Sequence, residues 1–237
     1  MGVYGGLKPE DWRRWGQFTT FKSNAAELLR KSLRPEQIVY CSPLVDPYQP
    51  AEERECMMPA LLDGAADCPP RIFVIQTRGP SILRDLDLLT RLAARTKLRV
   101  SFSLTTNREA VRKLYEPHCA TFDERLAAIR ALRAAGIETY ATLAPLLPCD
   151  PETLVNAALD ATDRDIIGDP LHIRATKRRG ATTREAALEI SRKHGHEQWH
   201  SPEFQRELVE RIREIVKKAG RRFAAGTEGF SWLAQLP

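Results

Sequence analysis

The sequence predicts an α/β fold on a parallel sheet, a partial parallel (β/α) barrel followed by a C-terminal helical extension. Three observations lead there. Short apolar stretches rich in β-branched and aromatic residues recur through the first 173 residues. Amphipathic stretches carrying helix-capping signals separate them. The strand–helix–strand unit repeats at roughly 30 residues, as right-handed crossovers between parallel strands require.

Strands are expected at 37–42, 71–77, 98–104 and 138–144, with a weaker candidate at 164–173. Ile38-Val-Tyr40, Ile72-Phe-Val-Ile-Gln76 and Arg99-Val-Ser-Phe-Ser-Leu104 have the character of strands buried on both faces. Asn24 with Glu27 marks a helix start, and Ser81 opens a second helix with Ile82, Leu86, Leu89 and Leu92 on its apolar face. Thr121 and Glu124 form a capping box for a third helix, which Gly136 stops and along which Leu126, Ile129 and Leu132 share a face. A full or partial barrel, or an open doubly wound sheet, satisfies this pattern. No GxGxxG follows a strand and no GxxxxGK[ST] occurs, which favours the barrel. Beyond Ile173 a basic, polar stretch at 174–183 reads as a loop. A helix follows at 202–219 with Phe204, Leu208, Ile212 and Ile215 inward, and Phe230-Ser-Trp-Leu233 is expected to pack it down. The chain therefore divides into a barrel part, 1–173, and a basic loop with a helical segment, 174–237.

Hydrophobic residues make up 43% of the 237 and charged residues 28%, the balance of a folded globular protein. No apolar run approaches the roughly 20 residues that span a bilayer, and residues 1–15 lack a secretory pattern, so a cytoplasmic protein without a membrane partner is expected. The net charge of +5 is concentrated at Lys177, Arg178 and Arg179 and at Lys217, Lys218, Arg221 and Arg222. These read as solvated faces, with nucleic-acid contact as the alternative. Cys41, Cys56, Cys68, Cys119 and Cys149 are irregularly spaced, which argues against both a disulfide framework and a local metal-ligand set.

In parallel α/β folds ligands sit where strand ends lead into loops. Those points here carry Asp46, Tyr48 and Glu52 after the first strand, Thr77 and Arg78 after the second, Ser103, Thr105 and Thr106 after the third, and Pro145 and Pro148 after the fourth. A single such tip is ordinary turn chemistry. Together they offer a cation for a carboxylate, an anion for an ammonium and hydroxyls for a ribose, a set suited to an amino-acid-bearing nucleoside.

Asp46-Pro-Tyr-Gln-Pro-Ala-Glu52, Arg84-Asp-Leu-Asp-Leu-Leu89, Ser103-Leu-Thr-Thr106, Glu116-Pro117 and Ala135-Gly-Ile137 with Ala144-Pro145 occur in an order and spacing that resembles the spore photoproduct lyase-like family of radical S-adenosylmethionine (radical SAM) enzymes. Phe21-Lys22-Ser-Asn24-Ala-Ala-Glu-Leu-Leu29 is similar to that family's segment after its cluster loop, and the likeness spans 18–148. The resemblance implies a partial barrel binding S-adenosylmethionine and a [4Fe–4S] cluster, generation of a 5′-deoxyadenosyl radical, and a reductant such as flavodoxin or ferredoxin. It implies that Asp46 binds the amino-acid portion of the cofactor. Arg78, where relatives commonly have a Lys beside a Thr, would pair with the methionyl carboxylate, and Ser103 and Thr105 would contact the nucleoside. Arg125 is a further candidate, with a helix-surface salt bridge as its alternative. The family's cluster motif, CxxxCxxC, occurs nowhere in the chain. The first barrel strand and cluster loop are expected to precede residue 1, and the chain alone is expected not to perform radical chemistry. The family's repair enzymes carry a cysteine near the Asp-containing tip, where Leu44 and Val45 stand here with Cys41 on the strand. The resemblance is thus to the broader relatives, with the substrate unnamed and nucleic acid one candidate.

Two readings stand beside this one. His196-Glu197-Gln-Trp-His200 satisfies HExxH, so a zinc hydrolase would use His196 and His200 as ligands on one helix face and Glu197 as base, although Gly195 and Ser201-Pro202 flank it with helix breakers. The other is a non-catalytic remnant or nucleic-acid-binding module.

Overall fold

The structure, a computed structural model, describes residues 18–41, 45–173, 183 and 185–235. The basic residues Lys177, Arg178 and Arg179, and Leu44 before the Asp-containing tip, lie outside the described residues. Six strands form one sheet in the order β1 to β6: Ile38–Cys41, Ile72–Thr77, Lys97–Ser103, Glu138–Leu146, Ile166–Pro170 and Phe223–Ala225. Every neighbouring pair is parallel, and the sheet is not closed into a ring. The partial barrel is thus the architecture formed.

Helix α1 (Ala25–Ser32) precedes β1, and α2 (Glu52–Glu55), α3 (Met57–Asp67), α4 (Leu86–Ala93), α5 (Glu109–Tyr115), α6 (Phe122–Ala134) and α7 (Pro151–Ala161) connect the first five strands. Helices α8 (Ala186–Lys193), α9 (Pro202–Lys218) and α10 (Gly226–Ser231) belong to the C-terminal region. The register puts Phe73, Ile75, Leu98, Val100, Phe102, Ala141 and Leu143 on one face of the sheet, where they merge with the helices' apolar stripes into the main core. Because strand side chains alternate, Ile72, Val74, Tyr140 and Ile167 point to the other, inner face and form a second, smaller cluster.

The lower half of that inner face is filled by the chain's own C-terminal segment. Leu233 is fully buried against the second cluster, with Phe230 and Trp232 beside it. Tyr40 Oη donates to the Phe230 carbonyl at 3.0 Å, and Arg99 Nη1 donates to the carbonyls of Trp232 and Gln235 at 2.8 and 2.6 Å. Glu138 compensates the buried Arg99 through its Nε at 3.0 Å.

The capping box on α6 is present in full, with Thr121 accepting from the Glu124 backbone and Glu124 returning to the Thr121 N–H. Gly136 follows at φ +77°, a left-handed position that favours glycine. Asn24 departs from expectation: its side chain caps nothing, although α1 begins one residue later. The helix expected from Ser81 starts as a 3-10 turn, Pro80–Asp85, and becomes α-helical at Leu86. Helix α9 lies where its apolar spacing put it. The region after 173 also supplies β6, paired in parallel with β5, so both regions share one sheet.

Candidate functional site

At the carboxyl ends of β1, β2 and β3 the candidate residues occupy one connected polar network. Asp46 sits in the loop between β1 and α2. Its Oδ1 accepts from the Tyr48 backbone N–H at 2.9 Å and the Thr77 hydroxyl at 2.6 Å, and its Oδ2 from the Arg78 backbone N–H at 2.8 Å. A carboxylate offers about four acceptor positions, and these bonds occupy three, two on Oδ1 and one on Oδ2. Asp46 therefore closes its own turn and ties that turn to the tip of β2. Gly79 permits the approach, because a Cβ there would stand 2.6 Å from the Tyr48 carbonyl oxygen.

Arg78 reaches from the end of β2 to Glu116, pairing Nη1 with Oε1. The other carboxylate oxygen accepts from Arg125 Nη2 at 2.8 Å and from the Thr105 hydroxyl at 2.7 Å, and Arg125 Nη1 lies 3.2 Å from that hydroxyl. Burial opposes ionisation of Glu116, but Arg78, Arg125 and the Thr105 hydrogen bond outweigh it and hold the carboxyl below its usual range. The loop carrying Glu116 is pinned from below by Arg112, whose Nη1 donates to the carbonyls of Glu116 at 3.1 Å and Cys119 at 2.6 Å.

Each expected residue can now be placed. Asp46 and Arg78 are adjacent, joined through backbone and side chain. Thr105 joins them through Glu116, but it is fully buried, so it reaches a ligand only through that carboxylate. Ser103 ends β3 on the inner face, half-buried, in register with Thr142. Arg125 is corrected: it is neither surface-exposed nor a surface salt bridge but a buried cation held by Glu116 and the Ala120 carbonyl. Glu116, at the centre of the network, is not among the residues that the sequence marks out as the site. Its signal was a Glu–Pro pair nine residues before an arginine on a capped helix. The motif residues Glu52, Arg84 and Asp85 prove to be structural: Arg84 grips Asp85 with two nitrogens at 2.8 and 2.9 Å and Glu52 at 3.0 Å, while Glu52 also accepts from the Met58 N–H.

The HExxH segment is not the helix its zinc reading needs. Glu197–His200 is a single 3-10 turn with His196 before it. At three residues per turn, positions four apart point about a third of a turn away from each other. His200 Nε2 lies 2.8 Å from the Ser191 hydroxyl, and His196 Nδ1 lies 3.3 Å from the Tyr115 hydroxyl, which also bonds Ser191 at 2.8 Å. Both histidines thus enter a hydrogen-bond chain between α8 and α5. Among the described residues no group of three or more His, Cys, Asp or Glu side chains is placed to hold a metal ion. All five cysteines are free thiols. Burial, reinforced at Cys41 by Asp46 and Glu52, pushes Cys41 up to about 12, and burial pushes Cys149 to about 12. No three thiols come together among the described residues, so the donor set present does not fit an iron–sulfur cluster.

The fold, an open parallel sheet with helices on its outer face and polar strand tips, is the one seen in solved spore photoproduct lyase structures. It matches spore photoproduct lyase complexed with dinucleoside spore photoproduct, at a TM-score of 0.54 and 14% identity, covering 86% of this chain and 64% of that one. A mutant of the same lyase with bound AdoMet and dinucleoside spore photoproduct matches at a TM-score of 0.54 and 16% identity, covering 84% of this chain and 64% of that one. By sequence, an uncharacterised protein of Mycobacterium bovis is 34% identical over 131 residues, 54% of this chain and 38% of its own length. Uncharacterised proteins of Methanocaldococcus jannaschii (25% over 141 residues, covering 58% and 51%) and of Acidianus two-tailed virus (27% over 177 residues, covering 68% and 56%) also match. No protein-family profile matches. The chain spans well under two thirds of these relatives' lengths. No helix among the described residues is long and apolar enough to cross a membrane.

Proposed function

We propose that this chain supplies the S-adenosylmethionine-binding part of a radical SAM-type protein, with Asp46 and Arg78 receiving the methionyl zwitterion and Ser103 contacting the nucleoside. The observation that carries the reading is the joint placement of Asp46 and Arg78 at adjacent strand tips, braced by Glu116, Arg125 and Thr105. Asp46 Oδ2 keeps an acceptor position for an ammonium, and the Arg78 side chain is 33% exposed while its partners are buried. These residues fit an α-amino-acid group. A relative of the same fold carries AdoMet, which supports the choice of ligand.

When bound beside a reduced cluster, S-adenosylmethionine supplies a 5′-deoxyadenosyl group for hydrogen abstraction. No step through a cluster is assigned to the residues described here, because their thiols do not form its donor set. A segment bearing the cluster ligands has a place to join: β1 ends the sheet, and nothing among the described residues pairs with its outer edge. The completed assembly would take a reductant of the flavodoxin or ferredoxin type. The dinucleoside carried by the lyase neighbours supports a substrate that contains a nucleobase.

Equilibrium dialysis of the chain against S-adenosylmethionine tests the reading. Saturable binding is expected, lost in Arg78→Met and weakened in Asp46→Asn. Binding absent from the wild type, or indifferent to both changes, rejects it.

A further inference from the structure

We infer that Glu116 is a positioning residue that fixes the Arg78 guanidinium, so that its exposed edge meets the carboxylate of an amino-acid-bearing ligand. This rests on the proposed function and adds the device that aims its cation. The side chain of Glu116 is 7% exposed and that of Arg125 3%, against 33% for Arg78. One carboxylate oxygen takes Arg78, and the other takes both Arg125 Nη2 and the Thr105 hydroxyl. With both oxygens assigned, the carboxylate is held in place, and it restrains the guanidinium that it holds through Nη1. Arginine carries five N–H donors in a rigid fork. Glu116 and the neighbouring Cys119 thiol take part of that fork, its exposed remainder is left for a carboxylate, and much of the rotamer freedom that a loose arginine would lose on binding is already lost on folding.

Two further observations favour positioning over a purely structural pin. The loop that carries Glu116 is held without its carboxylate, because Arg112 donates to the carbonyls of Glu116 and Cys119. The charges of Arg78 and Arg125 are balanced by Glu116 and Asp46. A balanced set suits a ligand that is itself a zwitterion, and a bare anion or cation would upset it.

The test compares S-adenosylmethionine with 5′-methylthioadenosine, which shares the nucleoside and its 5′ sulfur but lacks the amino-acid group and the sulfonium charge, on the wild type and on Glu116→Gln. Glu116→Gln keeps shape and removes charge. It should weaken S-adenosylmethionine roughly tenfold, the scale of one lost charge-assisted contact, and leave 5′-methylthioadenosine unchanged. Thr105→Val, which removes one of the two donors to a Glu116 carboxylate oxygen, should give a smaller loss in the same direction. Equal losses for both probes, or none, overturn the inference and make Glu116 structural. Rotation of the Arg78 guanidinium, read by nitrogen-15 NMR, separates this from failure of the ligand assignment. If the wild type binds neither probe, the S-adenosylmethionine reading fails. The positioning role then survives only if rotation is slow in the wild type and fast in Glu116→Gln, and it falls if rotation is equally free in both.

Discussion

Arg125 and Glu116 give up hydration together, and their attraction offsets that only while both are present. Arg125→Met should therefore cost about 3–5 kcal/mol, read as a lower urea midpoint. Thr105→Val leaves one Glu116 oxygen short of a donor and should cost about 1–2 kcal/mol. Arg78→Met should cost far less stability than either, since its partly exposed pair is screened by water, yet it should abolish ligand binding. Gly79→Ala pushes a methyl against the Tyr48 carbonyl and should cost about 1–3 kcal/mol, loosening Asp46 from Arg78 as the loops part. The residue types at these tips were legible in the sequence, because carboxylate, guanidinium and hydroxyl mark themselves out at strand ends. The pairing was not. Arg78 and Glu116 are 38 positions apart and meet only because β2 and the loop after α5 end side by side, which no local pattern records.

At the scale of elements, sequence signals succeeded where the chemistry is local. The α6 capping box can be read from Thr121 and Glu124 alone, and Thr121→Ala should cost about 1 kcal/mol by thermal denaturation. Asn24 looked equally good and caps nothing. β6 escaped notice because three residues behind two arginines show no periodicity. The α8–α5 contact was hidden inside an apparent metal motif, and it carries a pH dependence. Ser191 donates to the Ala187 carbonyl, so His200 Nε2–H donates to Ser191, and the buried Nδ1 has no hydrogen-bond partner. Burial first, then the Arg192 charge, holds His200 below the ordinary imidazole value, with Glu185 partly opposing. The unfolded chain therefore takes up its proton first as pH falls. The stabilisation should be complete above about pH 6.5 and decline from there toward the depressed folded value. Urea midpoints from pH 8 to 5 should show this decline, and His200→Gln should flatten it.

At the scale of the whole molecule, the C-terminal segment is an interior part. Its Leu233 fills the lower inner face, and buried Arg99 satisfies two of its carbonyls. Leu233→Ala should cost about 2–5 kcal/mol, a core-sized penalty two residues from the last one described, and hydrogen exchange should show the inner strands opening with it. The sequence suggested that Phe230 to Leu233 would pack against α9; the inner face claimed them because a half-barrel exposes apolar positions on both sides of its strands. That same incompleteness governs how the isolated chain behaves in solution. β1 leaves a row of backbone donors and acceptors facing outward, with Ile38 on it 45% exposed. Such an edge recruits whatever strand it meets, including another copy's. Sedimentation should show concentration-dependent self-association that Ile38→Lys suppresses, so purified material will be best behaved when dilute or when that edge carries charge.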